Sequence, residues 1–214
     1  MKTKQRIGNT IFVGLGVSDL PSDTPQNTWV KSFVAIFSFC LGAFCFSRYH
    51  RYLGPLKRWV VMSSFLIQTI FMIVTASLIS TGVVPKTKQE TVLVGRGSFD
   101  YVELCPIALL AFQSAGQVVA SRVLKYNSMP TVVLTSLYCD LMSDPNLLTA
   151  GLFEDPDRNR RAGGAVMLFV GATIGGALMK TSVGYVGALW LATGIKGSLV
   201  LAWLVWRQKR PQRQ

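Results

Sequence analysis

Trp59 to Val84 is a run of 26 residues without a single charge. At about 1.5 Å of rise per residue, a helix of that length crosses a hydrocarbon layer roughly 30 Å thick. Inside lipid every backbone N–H and C=O must be satisfied within the segment, so the run has to be helical. Four other stretches meet the same test of length: Thr28–Ser47, Leu104–Ser121, Ala162–Met179 and Thr181–Trp206. Lys31, near the start of the first, can snorkel to the interface. Half of the residues are hydrophobic and 15% are charged, against about 25% charged in soluble domains. The chain is therefore expected to be an all-α, polytopic membrane protein with about five transmembrane helices. Two more apolar stretches, Ile7–Leu20 and Pro130–Ser143, are too short to cross alone and read as half-helices or re-entrant segments.

Lys and Arg number 22 against 10 acidic residues, a net charge of +12. In a soluble protein this would suggest nucleic acid. Here the cations flank apolar runs: Arg48, Arg51, Lys57 and Arg58 in one connection, Arg158, Arg160 and Arg161 in another, and Arg207, Lys209, Arg210 and Arg213 in the tail. That is the distribution that orients a membrane protein with its basic loops in the cytoplasm, and no nucleic-acid partner is expected. With the 48–58 connection and the tail on one side, Pro130–Ser143 must begin and end on the same side. Non-helical backbone at membrane depth persists only inside protein or against water, so that segment points to a functional interior. The lead-in of Lys2, Lys4 and Arg6 precedes too short an apolar run for a secretory signal.

Cys40, Cys45, Cys105 and Cys139 form no C-x-x-C pair and have no neighbouring histidine, so neither zinc nor a disulfide framework is legible. The single histidine, His50, falls in the Arg-rich connection and is expected to be solvated. Gly14-Leu15-Gly16, Gly95-Arg96-Gly97 and the stretch from Gly194 to Ser198 lack the order of a phosphate-binding loop. No cofactor or metal is called for, and no nucleophile–histidine–carboxylate set is present.

Gly8–Asp23 can be laid on Met129–Asp144 without a gap, matching Thr10 with Thr131, Asp19 with Asp140, Leu20 with Leu141, and Ser22-Asp23 with Ser143-Asp144. Each segment precedes a two-helix hairpin, and Leu41-Gly42-Ala43 in the first resembles Ile174-Gly175-Gly176 in the second. One membrane domain spanning 1–214 is thus expected to contain a first repeat over 7–84 and a second over 104–206. The exposed loop 85–103 would join them, and a basic tail would follow over 207–214. An odd number of crossings per unit would invert the copies, an arrangement typical of transporters. The first copy has no counterpart of Leu104–Arg122, so it is expected to be incomplete at its N-terminal end.

Gly116-Gln117, Arg122, Thr131 and Thr135, with the earlier Gly8-Asn9-Thr10, resemble the YoaK-type family of multi-pass membrane proteins of unknown function, in its filamentous-fungal branch. The stretch AFQSAGQVVASRVLKYNSMPTVVLTSLYCDL carries the likeness most specifically. The family pattern implies a Gly-Gln helix leading into a Thr-rich segment, and a matching Thr-Gly-Asn motif in the first half. Here Ile7 stands where that first threonine belongs, and only MKTKQRI precedes the motif, where the family has a transmembrane helix. The family pattern also pairs Gly8-Asn9 with Ser136-Leu137, a different register from the one above. The resemblance implies a membrane protein and supplies no mechanism.

Lys196 is the residue with most to say about function. It lies roughly 15 Å from the end of its span, near the bilayer midplane, where a lysine costs about 2.5–3.5 kcal/mol and needs a cavity or a partner. A tilted helix with a snorkelling Lys196 is the plain alternative. Asp140, at similar depth if its segment dips inward, is the expected partner; otherwise it caps a surface turn with Asp144. Gln113, Gln117 and Ser121 are spaced i, i+4, i+8 and so form one polar stripe, expected to face other helices. It serves either a solute path or plain interhelical hydrogen bonding. Gly171 and Gly175, with Ala172 and Gly176, are spaced for close helix packing.

Lys196, Asp140, Gln113, Gln117, Arg122, Thr131, Thr135, Asn9 and Asp19 are the candidate site residues. The leading expectation is a transporter-like or carrier-like protein, rather than an enzyme, at work in the lipid bilayer on a small solute, with a homo-oligomer left open as its assembly. The alternatives are an intramembrane accessory enzyme of fungal secondary metabolism, a cyclase or isomerase with Asp140 or Asp19 as acid, and a non-catalytic membrane partner.

Overall fold

The computed structural model describes residues 28–84, 101–126, 134–144, 151 and 154–205. The helices are α1 (Thr28–Leu53), α2 (Arg58–Ser80), α3 (Leu104–Val123, entered through a 3-10 turn at Tyr101–Glu103), α4 (Leu134–Met142), α5 (Pro156–Met179) and α6 (Gly184–Val205), and the described residues contain no strand. All but α4 are long and apolar enough to cross a membrane. The protein is a multi-pass integral membrane protein.

Local chemistry sets the helix ends, and it moves two of them from where charge alone put them. α1 continues past Arg48 until Gly54, at φ 98°, turns the chain and donates its N–H to the His50 carbonyl at 3.1 Å; Pro55 then cannot extend the helix. His50 consequently sits in the last turn of α1 with no exposed surface. The expectation of a solvated loop histidine is corrected, because the helix carries it back under the bundle. α5 begins at Pro156 instead of Ala162. Asp155 caps it, its carboxylate accepting from the N–H groups of Asp157 (3.0 Å) and Arg158 (3.1 Å), and Pro156 supplies a pre-set first turn. Arg158, Arg160 and Arg161 are therefore helical rather than in a connection.

Register follows from a few contacts. The Lys31 ammonium pairs with Glu103, the Phe46 and Phe112 rings lie 5.6 Å apart, and Arg51 and Arg122 border one groove. α1 and α3 thus run parallel, and Lys31 is paired instead of snorkelling. Phe71 stacks edge-on against Phe112 at 5.3 Å while Gln68 lies under Gly116, so α2 runs antiparallel to both. The Trp190 indole N–H donates to Ser80 Oγ at 3.0 Å, and Arg58 Nε donates to the Trp203 carbonyl at 2.8 Å, so α6 is antiparallel to α2. The 54–57 connection and the end of α6 therefore share one end of the bundle.

α3 packs against α1 and α2, α2 against α6, and α5 against α6 and α4. α5 returns antiparallel to α6, so it enters at the end where α3 leaves, and the segment bearing α4 begins and ends on that side. Nine residues of α4 span about 13 Å, well short of a crossing. Asp144, just beyond it, accepts from Arg161 at 2.8 Å and pins α4 to α5. α2 is the most enclosed span, 44% of its apolar window being buried, whereas none of the corresponding window of α5 is. Phe33, Phe37, Phe44, Ile70, Ile73 and Phe169 face outward, as lipid-contacting side chains do.

Candidate functional site

Three helices meet around Lys196. It lies nine residues before the end of α6 and is 7% exposed. Its ammonium donates to Gln113 Oε1 at 2.6 Å and to Gln117 Oε1 at 3.3 Å, both on α3. The i, i+4 spacing read from the sequence puts the two amides one above the other, so a single parallel helix at the right height presents both to one cation. Gln113 is buried, but Gln117 is exposed, so the cluster opens on one side. That corrects the expectation that the whole stripe faces other helices. Ser121, the third member, turns away and donates to the Tyr126 carbonyl at 3.4 Å.

Close backbone approach brings these helices together. A Cβ built on Gly116 would stand 2.7 Å from a ring carbon of Phe46 and 2.9 Å from the Gln68 amide; one built on Gly42 would stand 2.5 Å from the Phe112 carbonyl oxygen. At Gly42 the obstacle is backbone and only hydrogen fits, whereas at Gly116 two side chains would have to shift. Gln68, fully buried on α2, was not singled out by sequence reasoning. It donates to Ser64 Oγ at 3.2 Å, while its own carbonyl oxygen has no hydrogen-bond partner among the described residues. Its signal was Ser64 and Gln68 at the same i, i+4 spacing as the α3 amides, inside the run that looked uniformly apolar. Thr69 and Thr193 are buried beside the cluster, but each hydroxyl donates to the carbonyl four residues back in its own helix.

Asp140 is not the partner of Lys196. It is exposed on α4, which packs only against α5 among the described helices, while Lys196 is committed to α3. The pairing expected from depth fails because α4 stays beside α5 and does not reach α6. Arg122 is exposed at the end of α3, outside the cluster. Thr135 belongs to α4 but its side chain lies outside the described residues, as do Thr131, Asn9 and Asp19 entirely. A methyl group added at Gly171, Gly175 or Gly176 would meet nothing within 4 Å among the described residues, so with those residues they do not make the expected close packing. No group of three or more metal-ligating side chains gathers among the described residues.

A family model described as a protein of unknown function, DUF1275, matches residues 7–202. No curated protein and no solved structure gives a significant match.

Proposed function

The chain belongs to the DUF1275 family of proteins of unknown function, the same family as the YoaK-type resemblance, and from that premise we propose that it is a carrier for a small, negatively charged solute that binds at Lys196. The observation that carries this reading is a buried ammonium whose acceptors among the described residues are neutral amides. Its acceptors are Gln113 and Gln117, and every acidic side chain among the described residues lies outside the middle of the spans. A positive charge without a counter-ion at that depth costs free energy that a bound anion offsets. Exposed Gln117 supplies the way in, and Gln113 holds the ammonium when the site is empty.

The test uses a chain whose four cysteines are replaced and Gln117 changed to Cys, reconstituted in liposomes. A charged thiol reagent in the aqueous phase should modify position 117, and acetate or chloride should slow the reaction. A thiol at 117 that reacts only with lipid-soluble reagents would remove the solute path.

A second reading draws on α5, whose apolar window is unburied and whose Gly171, Gly175 and Gly176 meet nothing among the described residues: it is a contact face for another membrane helix, in a homo-oligomer or with a different protein. Gly175→Cys in the same background should form an oxidative cross-link between chains if the face joins copies of this protein. Monomer alone would leave the carrier reading unaffected and refute the homo-oligomer.

A further inference from the structure

Parallel packing of α1 and α3 brings their C-terminal ends together, and with them three arginines. Arg48, Arg51 and Arg122 border a groove of about 560 Å³ on the lipid-facing side of α1 and α3 whose apolar lining includes Phe44, Val119 and Val123. The other described arginines are already engaged. Arg58 donates to the Trp203 and Leu204 carbonyls, Arg158 to the Gly151 carbonyl, Arg160 to Asp157 and Arg161 to Asp144. Arg48, Arg51 and Arg122 are exposed and have no carboxylate partner among the described residues. The Arg48 guanidinium lies 5.3 Å from the centre of the Phe44 ring, which occupies its face and leaves its N–H edge for a ligand.

Orientation of charge alone would need only basic residues near the span ends; it does not require them to converge from two helices above an apolar trough. Phe44 and Val119 lie about one turn deeper in the membrane than Arg48 and Arg122, so the groove is cationic at its rim and apolar below. We propose that this groove is a binding site for an anionic phospholipid, with a phosphomonoester head group held by the three guanidiniums and an acyl chain lying against Phe44 and Val119. Guanidinium pairs phosphate oxygens two at a time, and basic pockets between transmembrane helices are suited to such head groups. Inorganic phosphate shares the charge but has no use for the apolar wall. The site is separate from Lys196 and does not depend on the carrier reading.

Purified full-length chain in neutral detergent is titrated with short-chain phosphatidic acid, phosphatidylcholine and inorganic phosphate, and bound species are counted by native mass spectrometry. One phosphatidic acid should bind with at least about tenfold preference over phosphatidylcholine, and millimolar inorganic phosphate should not displace it. The combined Arg48→Gln, Arg51→Gln and Arg122→Gln variant should lose at least about tenfold in affinity. Val119→Trp fills the trough without changing charge and should lose about fivefold or more; Val123→Trp serves if the first variant is not monodisperse. Equal binding of the two lipids, or unchanged affinity in the tryptophan variant, would reduce the arginines to topology signals. Full displacement by inorganic phosphate would make the site one for free phosphate and overturn the lipid assignment.

Discussion

Removing Gln113 should damage this protein more than removing the lysine it holds. The Gln113–Lys196 hydrogen bond is 2.6 Å long and buried, and a charged bond of that kind contributes about 1.5–3 kcal/mol. Gln113→Leu forfeits it and leaves the ammonium with Gln117 at 3.3 Å, so destabilisation of about 2–3 kcal/mol is expected. Lys196→Met forfeits the same bond but also removes a cation whose midspan cost is about 2.5–3.5 kcal/mol. The two effects nearly cancel, and this variant should lie within about 1 kcal/mol of the native protein. In the double variant neither the stranded cation nor the orphaned amide remains, so it should be more stable than Gln113→Leu alone, with a coupling of about 2 kcal/mol. Reversible unfolding in mixed micelles, followed by tryptophan fluorescence, measures all four corners of the cycle. Singles that add to the double within about 0.5 kcal/mol would refute a Gln113–Lys196 interaction. The parallel cycle with Asp140→Asn should be additive, since α4 and α6 do not touch.

Gly116→Ala must displace Phe46 or Gln68 and should cost about 1–3 kcal/mol, whereas Gly175→Ala meets nothing among the described residues and should be neutral or stabilising by up to about 1 kcal/mol; thermal unfolding in one detergent compares them directly. Asp155→Ala removes the acceptor of two N–H groups at the start of α5 and should cost about 1 kcal/mol, read as faster hydrogen exchange over residues 157–160. Asp144→Asn loosens the half-buried tie to Arg161, so exchange should rise in α4 while α1 to α3 stay protected.

Length and charge were enough to locate five spans in the sequence, because the hydrocarbon layer admits nothing shorter or more polar. They misplaced helix ends wherever a helix continues into the interface: Arg48 does not stop α1, and the Asp155-Pro156 start of α5 outweighs the basic cluster behind it. Lys196 and the Gln113–Gln117 stripe were legible as a midspan cation and an i, i+4 pair. Their mutual contact was not, since it depends on α3 and α6 being parallel and at equal height, which no local pattern encodes. Asp140 was matched to Lys196 on depth alone, and depth carries no lateral information. The close glycines were similarly ambiguous. Gly42 and Gly116 sit at helix crossings, while Gly171 and Gly175, with the more conspicuous spacing, meet no neighbour among the described residues.

Anion flux through the purified protein tests the carrier account most directly. Proteoliposomes adsorbed on a solid-supported membrane are challenged in turn with chloride, nitrate, acetate, lactate, phosphate and sulfate gradients, and the charge displaced is recorded for the native chain and for Lys196→Met, whose fold should survive. The account predicts a saturable current with at least one of these anions in the native protein and its loss in Lys196→Met. Currents of equal size in the two proteins, or none above protein-free liposomes with any of the six, would contradict it.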